Sequence, residues 1–400
     1  MKLATGHLTY CTNIYPGESW TNHFSLLKDS FPAIKQQLSP QEHMGVGLRL
    51  SNVASIEILE GDTLPLFKKW LQDTGGYVFT MNGFPYGGFH DVIVKDQVHA
   101  PDWTTAERVD YTIRLFTILA ELLPEGMEGG ISTSPLSYKH WFHSKAALQE
   151  ATHTATSNIL RVVRELYAIK QKTGVTLHLD IEPEPDGILE TGREFIDWFE
   201  QELLLQGTAL FEKELQIPAE TALQIIKEHV NLCYDVCHFA IGYEPHAAVL
   251  KELAEKNIKV GKIQISAALK ATFADVINKQ AILSEFKKFN EPTYLHQVIA
   301  RMGNNTLIRY PDLPEALAAT NDAAEWRAHF HVPVFLESFG LLQSTQTDIV
   351  EVLGLQIQQP FTTHMEVETY TWGVLPDALK IPLTQSIIRE MEWVKQTLTN

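Results

Sequence analysis

The stretch Leu177-His178-Leu179-Asp180-Ile181-Glu182-Pro183-Glu184-Pro185 has the length and alternation of a β-strand but the wrong composition for a buried one. Successive side chains of a strand point to opposite faces, so residues 178, 180, 182 and 184 share one face. Leu177, Leu179 and Ile181 take the other. Strands covered on both sides normally carry few polar groups. The stretch His364-Met365-Glu366-Val367-Glu368-Thr369-Tyr370 repeats the arrangement, with Asp180 matched by Glu366 and Glu182 by Glu368 when the histidines are aligned. Unpaired carboxylates buried together cost several kcal/mol unless a proton or a cation intervenes.

Outward from this ladder, the chain reads as strands followed by segments of helical periodicity. Strands are expected near Gly6, Gly45, Gly76, Gly129, Val175, Val230, Lys259 and Phe361. Helices are expected over Trp20 to Gln37, Leu64 to Asp73, Thr104 to Leu123, Lys145 to Thr173, Arg193 to Gln206, Pro245 to Lys256 and Leu383 to Leu398. In the fourth of these, Ile159, Val162, Val163, Leu166 and Ile169 recur at the spacing of one buried helix face. Alternating units imply parallel strands, and eight of them close a (β/α)₈ TIM barrel. An open doubly wound sheet would carry a glycine-rich phosphate turn after its first strand. Here that strand runs into Thr12-Asn13-Ile14-Tyr15-Pro16-Gly17 instead. The expectation is an α/β fold with a single barrel over 1–400 and a long insertion, 267–328, between strands seven and eight. A helix is expected there over Ala274 to Phe289, and the insertion runs towards His329-Phe330-His331.

The 400 residues are 44% hydrophobic and 20% charged, ordinary values for a globular chain. A formal charge of −17 opposes phosphate backbones and anionic lipid, so nucleic acid is not an expected partner. No apolar run is long enough to span a membrane, and the first residues lack the apolar core of a secretion signal. Cys11, Cys233 and Cys237 are too few for a disulfide framework, and the last two read as small core hydrophobes. The expected compartment is the cytoplasm.

Asp235, in Cys233-Tyr234-Asp235-Val236-Cys237-His238, ends the sixth strand, and Gln264 lies in the seventh. Glu182, Asp235, Gln264 and Glu368 would therefore stand at comparable depth on four consecutive strands. Such an oxygen-rich set suits one divalent cation, Mn²⁺ or Mg²⁺, while a histidine would tilt it towards Zn²⁺ or Co²⁺. His178 and His364 lie deeper and read as core histidines. His238, His329, His331, Glu184, Glu366, Arg327 and Lys139 are candidates for binding a substrate's polar groups, with Trp372 and Phe84 as an apolar wall. Glu366 is also the alternative to Glu368, two residues away on the same face.

The succession Glu182, Asp235-x-x-His238, a polar residue on strand seven and Glu368 resembles the xylose-isomerase-like TIM barrels. More narrowly, six stretches resemble the metabolite-traffic proteins called EboE: Tyr10 to Trp20, Gly130 to Trp141, Leu177 to Gly187, Cys233 to Ala240, His329 to Pro333 and His364 to Pro376. The resemblance implies a metal-dependent sugar or sugar-phosphate isomerase or epimerase working through an enediolate. Glu182 and Glu368 would be both metal ligands and proton-transfer groups, and Asp235 a third ligand. Gln264 departs from the histidine that many members place on strand seven. A second reading, from another class, is a protein that holds and hands over a small polar metabolite without turnover.

Overall fold

The computed structural model of the chain describes residues 1–90, 92–273, 278–319 and 322–399. One sheet contains the barrel strands β1 (Gly6–Tyr10), β2 (Met44–Arg49), β3 (Gly76–Asn82), β4 (Gly129–Thr133), β5 (Leu177–Ile181), β6 (Val230–Asp235), β7 (Val260–Ile265) and β8 (His364–Val367). Neighbours in sequence are neighbours in the sheet, all parallel, and β8 returns to lie between β7 and β1. The ring is nearly closed, because β1 and β2 meet only through a parallel bridge between Cys11 and Gly47. The two-residue strand Lys2–Leu3 pairs antiparallel with β1.

The outer layer follows from amphipathic helices. Lys145–Thr173 starts where the Ser144 side chain accepts from the Ala147 N–H and ends at Gly174, whose φ of 76° lets the chain turn away. Its buried face carries Ala155, Ile159, Val162, Val163 and Leu166. Trp20–Leu38, Thr63–Thr74, Ala106–Leu122, His246–Glu255 and Leu383–Thr399 form close to where the periodicity predicts them. The expected Arg193 to Gln206 helix is longer: Gly192–Trp198 passes through a π-helical turn, Phe199–Leu203, into Leu204–Leu215.

The segment after β7 is a second sheet, not a loop with a helix. Its six antiparallel strands run in the order Leu307–Tyr310, Val298–Met302, Ala323–Val332, Ala267–Thr272, Leu342–Ser344 and Ser338–Phe339. It thus extends beyond 328 to Ser344, and His329-Phe330-His331 falls on its longest strand. Of the expected helix Ala274 to Phe289, Lys279–Phe286 forms, while 274–277 lie outside the described residues.

The barrel interior is polar in layers. Along β8, His364, Glu366 and Glu368 point inward in turn, and along β5 so do His178, Asp180 and Glu182. The middle layer is closed by Lys262 of β7, whose ammonium lies 3.4 Å from Glu366 Oε1 with both side chains fully buried. Glycines leave room for it: a Cβ on Gly261 would lie 1.9 Å from Asp180 Oδ1, and one on Gly47 2.3 Å from Glu366 Oε2.

Candidate functional site

At the C-terminal ends of the barrel strands lies a pocket of about 580 Å³, counted out to its open mouth. This is the end where strand-to-helix loops converge in such barrels. Glu182, which follows β5, and Glu368, which follows β8, line it, and Asp235 closes β6 between them. One carboxylate oxygen from each of Glu182, Asp235 and Glu368 lies within 4.8 Å of the others.

Each acid is held differently. Asp235 caps the short helix Val236–Ile241; its Oδ1 accepts from the His238 N–H at 3.2 Å and from Ser266 Oγ at 2.6 Å. Its Oδ2 is buried without a partner, as is Glu182 Oε2. Glu368 Oε1 accepts from two amides, Asn13 Nδ2 and Asn82 Nδ2, each at 2.7 Å. Burial pushes the Glu182 carboxyl well above its ordinary range, with Glu368 and Asp235 adding to the rise. Glu368 is raised by burial and then by Asp235 and Glu366. Glu184, also in the wall, is raised for the same reasons.

Three histidines face these acids, and their protons are assigned by their surroundings. His238 Nδ1 donates to the Pro183 carbonyl at 2.9 Å, and His331 Nδ1 to the Glu368 carbonyl at 3.0 Å. His329 Nδ1 donates to Gln297 Oε1 at 2.9 Å; that amide is oriented by its own donation to the Pro185 carbonyl at 3.0 Å. In the neutral rings every Nε2 is therefore a lone pair. His238 and His329 present theirs to each other at 3.2 Å, and that of His331 has no partner. Burial keeps the rings neutral: His331 is pushed down to about 4, and His329 and His238 are also lowered. Asp235, His238 and His331 form one group with ligand atoms within 4.8 Å, and Glu184, His238 and His329 form another. A ring nitrogen fixed by a hydrogen bond on its far side is the usual arrangement of a metal-binding histidine.

Several expected residues lie elsewhere. Glu366 is in the barrel interior, paired with Lys262, and does not line the pocket. Gln264 neighbours both Asp235 and Glu366 in the sheet register; it is fully buried, with neither polar atom partnered, and it too is outside the pocket wall. Arg327 shares a strand with His329 and His331, but a strand advances about 3.3 Å per residue, and the register is disturbed between Ala328 and Val332. Its guanidinium is taken up by Glu325, Asp348 and the Ala240 carbonyl and stacks on Tyr243. Lys139 is paired with Glu190 and Asp186. Trp372 is buried behind the pocket, because the chain leaves β8 through a 3₁₀ turn, Tyr370–Gly373, and Tyr370 takes the wall position instead. Phe84 lines the pocket as expected, joined by Phe89, Tyr294, Asn13, Asn82, His99 and Gln297, which the sequence did not single out. Lys95 is the one cationic side chain of Lys or Arg type in this wall among the described residues, and Asp312 pairs with it at 2.6 Å.

No family model matches the chain, and no curated protein does. Solved structures do match. A xylose isomerase-like TIM barrel protein from Mycobacterium smegmatis, in complex with magnesium, covers 100% of this chain and 98% of its own at 11% identity, with a TM-score of 0.51. The IolI protein with a binding zinc atom covers 98% of both chains at 12% identity and a TM-score of 0.46. The probable 3-DHS dehydratase AsbF from Bacillus anthracis covers 97% of this chain and 98% of its own at 10% identity, with a TM-score of 0.45. The first of these carries the fold: a nearly closed parallel-strand barrel similar to the xylose isomerase-like TIM barrels. Among the described residues no helix is long and apolar enough to cross a membrane.

Proposed function

We propose that this barrel is a metal-dependent isomerase or epimerase that moves a proton next to a carbonyl in a small, sugar-like metabolite. The observation that carries the reading is the convergence of Asp235 with Glu182 and Glu368 of the pocket wall, with Glu182 Oε2 and Asp235 Oδ2 buried without hydrogen-bond partners. Desolvated carboxylates in such contact call for a cation or shared protons. Glu182, Asp235 and Glu368 would hold one divalent ion (Mn²⁺, Mg²⁺, Zn²⁺ or Co²⁺). The free Nε2 of His331 would supply the nitrogen that β7 lacks, and Gln264 is the remaining donor beside Asp235. An ion held there would supply Lewis acidity, making a C–H next to a substrate carbonyl easier to deprotonate.

The side chains divide the remaining work. Glu368, fixed by the amide donors of Asn13 and Asn82, is oriented to act as the base once a bound cation has displaced its proton. Glu182, with no donor on Oε2, would deliver a proton of its own to the enediolate, while Glu368 keeps the one it removed. His238, His329 and Glu184 bind substrate hydroxyls, and Phe84, Phe89, Tyr294 and Tyr370 exclude water. The stretches that resemble EboE proteins favour a place for this reaction in metabolite processing or export. Gln264, where the resemblance to xylose-isomerase-like barrels implies histidine, favours the other reading, a hand-over protein without turnover.

The two separate in one experiment. Chelator-stripped protein is given Mn²⁺ and a panel of ketoses and ketose phosphates in D₂O, and deuterium next to the carbonyl is read by NMR. Incorporation by the wild type that is lost in Glu182→Gln supports the isomerase. Ketose binding with no deuterium incorporated leaves the hand-over reading.

A further inference from the structure

We propose a second cation site at the opposite mouth of the barrel, formed by His178, His364 and Glu128. The two histidines are the deepest rungs of the ladders on β5 and β8, and the pocket chemistry uses neither. Their rings lie 5.3 Å apart between centroids, and one ligand atom from each, with a carboxylate oxygen of Glu128, falls within a 4.8 Å group.

Two further observations point to a ligand. His364 is only 1% exposed, yet its Nδ1 has no hydrogen-bond partner. His178 Nδ1 donates to Asp180 Oδ1 at 2.6 Å, so that in the neutral ring Nε2 is a lone pair; Asp180 also raises the ring above its ordinary value against burial, and a metal at Nε2 would displace a proton. A carboxylate behind a histidine in this manner fixes the tautomer and raises the ring's basicity towards a metal. The backbone makes room for the couple: a Cβ on Gly130 would stand 2.3 Å from His178 Cε1. Thr363 Oγ1 donates to Glu128 Oε1 at 3.1 Å and steadies the third ligand.

Access exists from the solvent side. An open cleft of about 1500 Å³ at the N-terminal ends of the strands is lined by Glu128, His364, Thr363 and His7. The Lys262–Glu366 layer separates this site from the pocket described above. Two imidazoles and one carboxylate suit Zn²⁺ or Co²⁺ better than Mg²⁺. A bound ion would tie β5 and β8 to the turn that precedes β4. The inference does not depend on the proposed function, since it concerns other residues and requires no turnover.

The test uses full-length protein in the Asp235→Asn/His329→Phe background, which removes a member of every ligand group at the upper mouth among the described residues, with Zn²⁺ and Co²⁺ alone as probes. Bound metal per chain is counted after gel filtration, and thermal unfolding is followed with and without Zn²⁺. One retained equivalent is expected, together with a Zn²⁺-dependent rise in Tm. Glu128→Gln, at an exposed position, should weaken the binding at least ~10-fold and His364→Gln should remove it. No retained equivalent, or retention unchanged by both substitutions, overturns the proposal. Failure of the ketose experiment above would leave this result untouched.

Discussion

His238 and His329 meet Nε2 to Nε2 at 3.2 Å, although each has already committed its Nδ1 hydrogen, one to the Pro183 carbonyl and the other to Gln297. Neither ring can donate to the other, so the contact opposes two lone pairs until a proton, a substrate hydroxyl or a cation sits between them. His329→Phe should therefore preserve or raise the Tm of the metal-free protein and leave its stabilisation by Mn²⁺ in place, since His329 is not among the proposed ligands of that ion. Calorimetry of the two proteins, with and without divalent metal, checks this.

The same site gives a pH dependence with a definite sign. Glu182 and Glu368 have folded-state pKa values raised above 4.5, so the metal-free folded protein binds more protons than the unfolded chain above that pH. Their contribution is thus lost as pH rises. His331 acts oppositely: lowered to about 4, it makes stability fall as pH drops from about 6.5 towards 4. A cation must displace the carboxyl protons and gains affinity as they leave. Metal-induced stabilisation should therefore grow between pH 5 and pH 8, measured as ΔTm at fixed Mn²⁺ concentration.

Lys262 and Glu366 form a fully buried ion pair. Lys262→Met leaves Glu366 uncompensated and should cost about 3–5 kcal/mol by urea unfolding, whereas Lys262→Met/Glu366→Leu should recover most of that loss. An equal loss in both variants would contradict the pairing.

Gly261→Ala places a methyl 1.9 Å from Asp180 Oδ1 on a strand buried on both faces. It should destabilise by at least ~1–3 kcal/mol, the usual cost of overpacking. Gly303→Ala, where a Cβ meets nothing within 4 Å, is the control.

Arg327→Ala should leave KM for an accepted ketose within about twofold, because its guanidinium is spent on Glu325 and Asp348 outside the pocket. Tyr370→Ala, in the pocket wall, should raise KM about tenfold or more, the loss expected for a buried aromatic contact.

The parts of this site that the sequence discloses are those where composition conflicts with burial. Acids alternating with Leu, Ile and Val on β5 and β8 are improbable in a core, and that conflict marked Glu182 and Glu368 correctly as residues of the strand ends. Asn13 and Asn82 carry no such signal, because an asparagine after a strand is ordinary turn chemistry. Tyr370 has the same parity as Glu366 and Glu368, so alternation points to it before Trp372; the 3₁₀ turn Tyr370–Gly373 then ends the strand and takes Trp372 out of the wall. Arg327 was misplaced because alternation reports which face a residue occupies, not how far along it the pocket extends. The second sheet stayed hidden because its strands are short, irregular and paired across long separations, from Ala267 to Val332.

The central claim is that Glu182, Asp235 and Glu368 hold a divalent ion. Titrating chelator-stripped protein into Mn²⁺ and following the six-line EPR signal of the free ion tests it most directly. The account predicts that the wild type depletes the signal to saturation and that Asp235→Asn and Glu368→Gln fail to do so at the same concentrations. An undiminished signal with the wild type, or equal depletion by all three proteins, would contradict it.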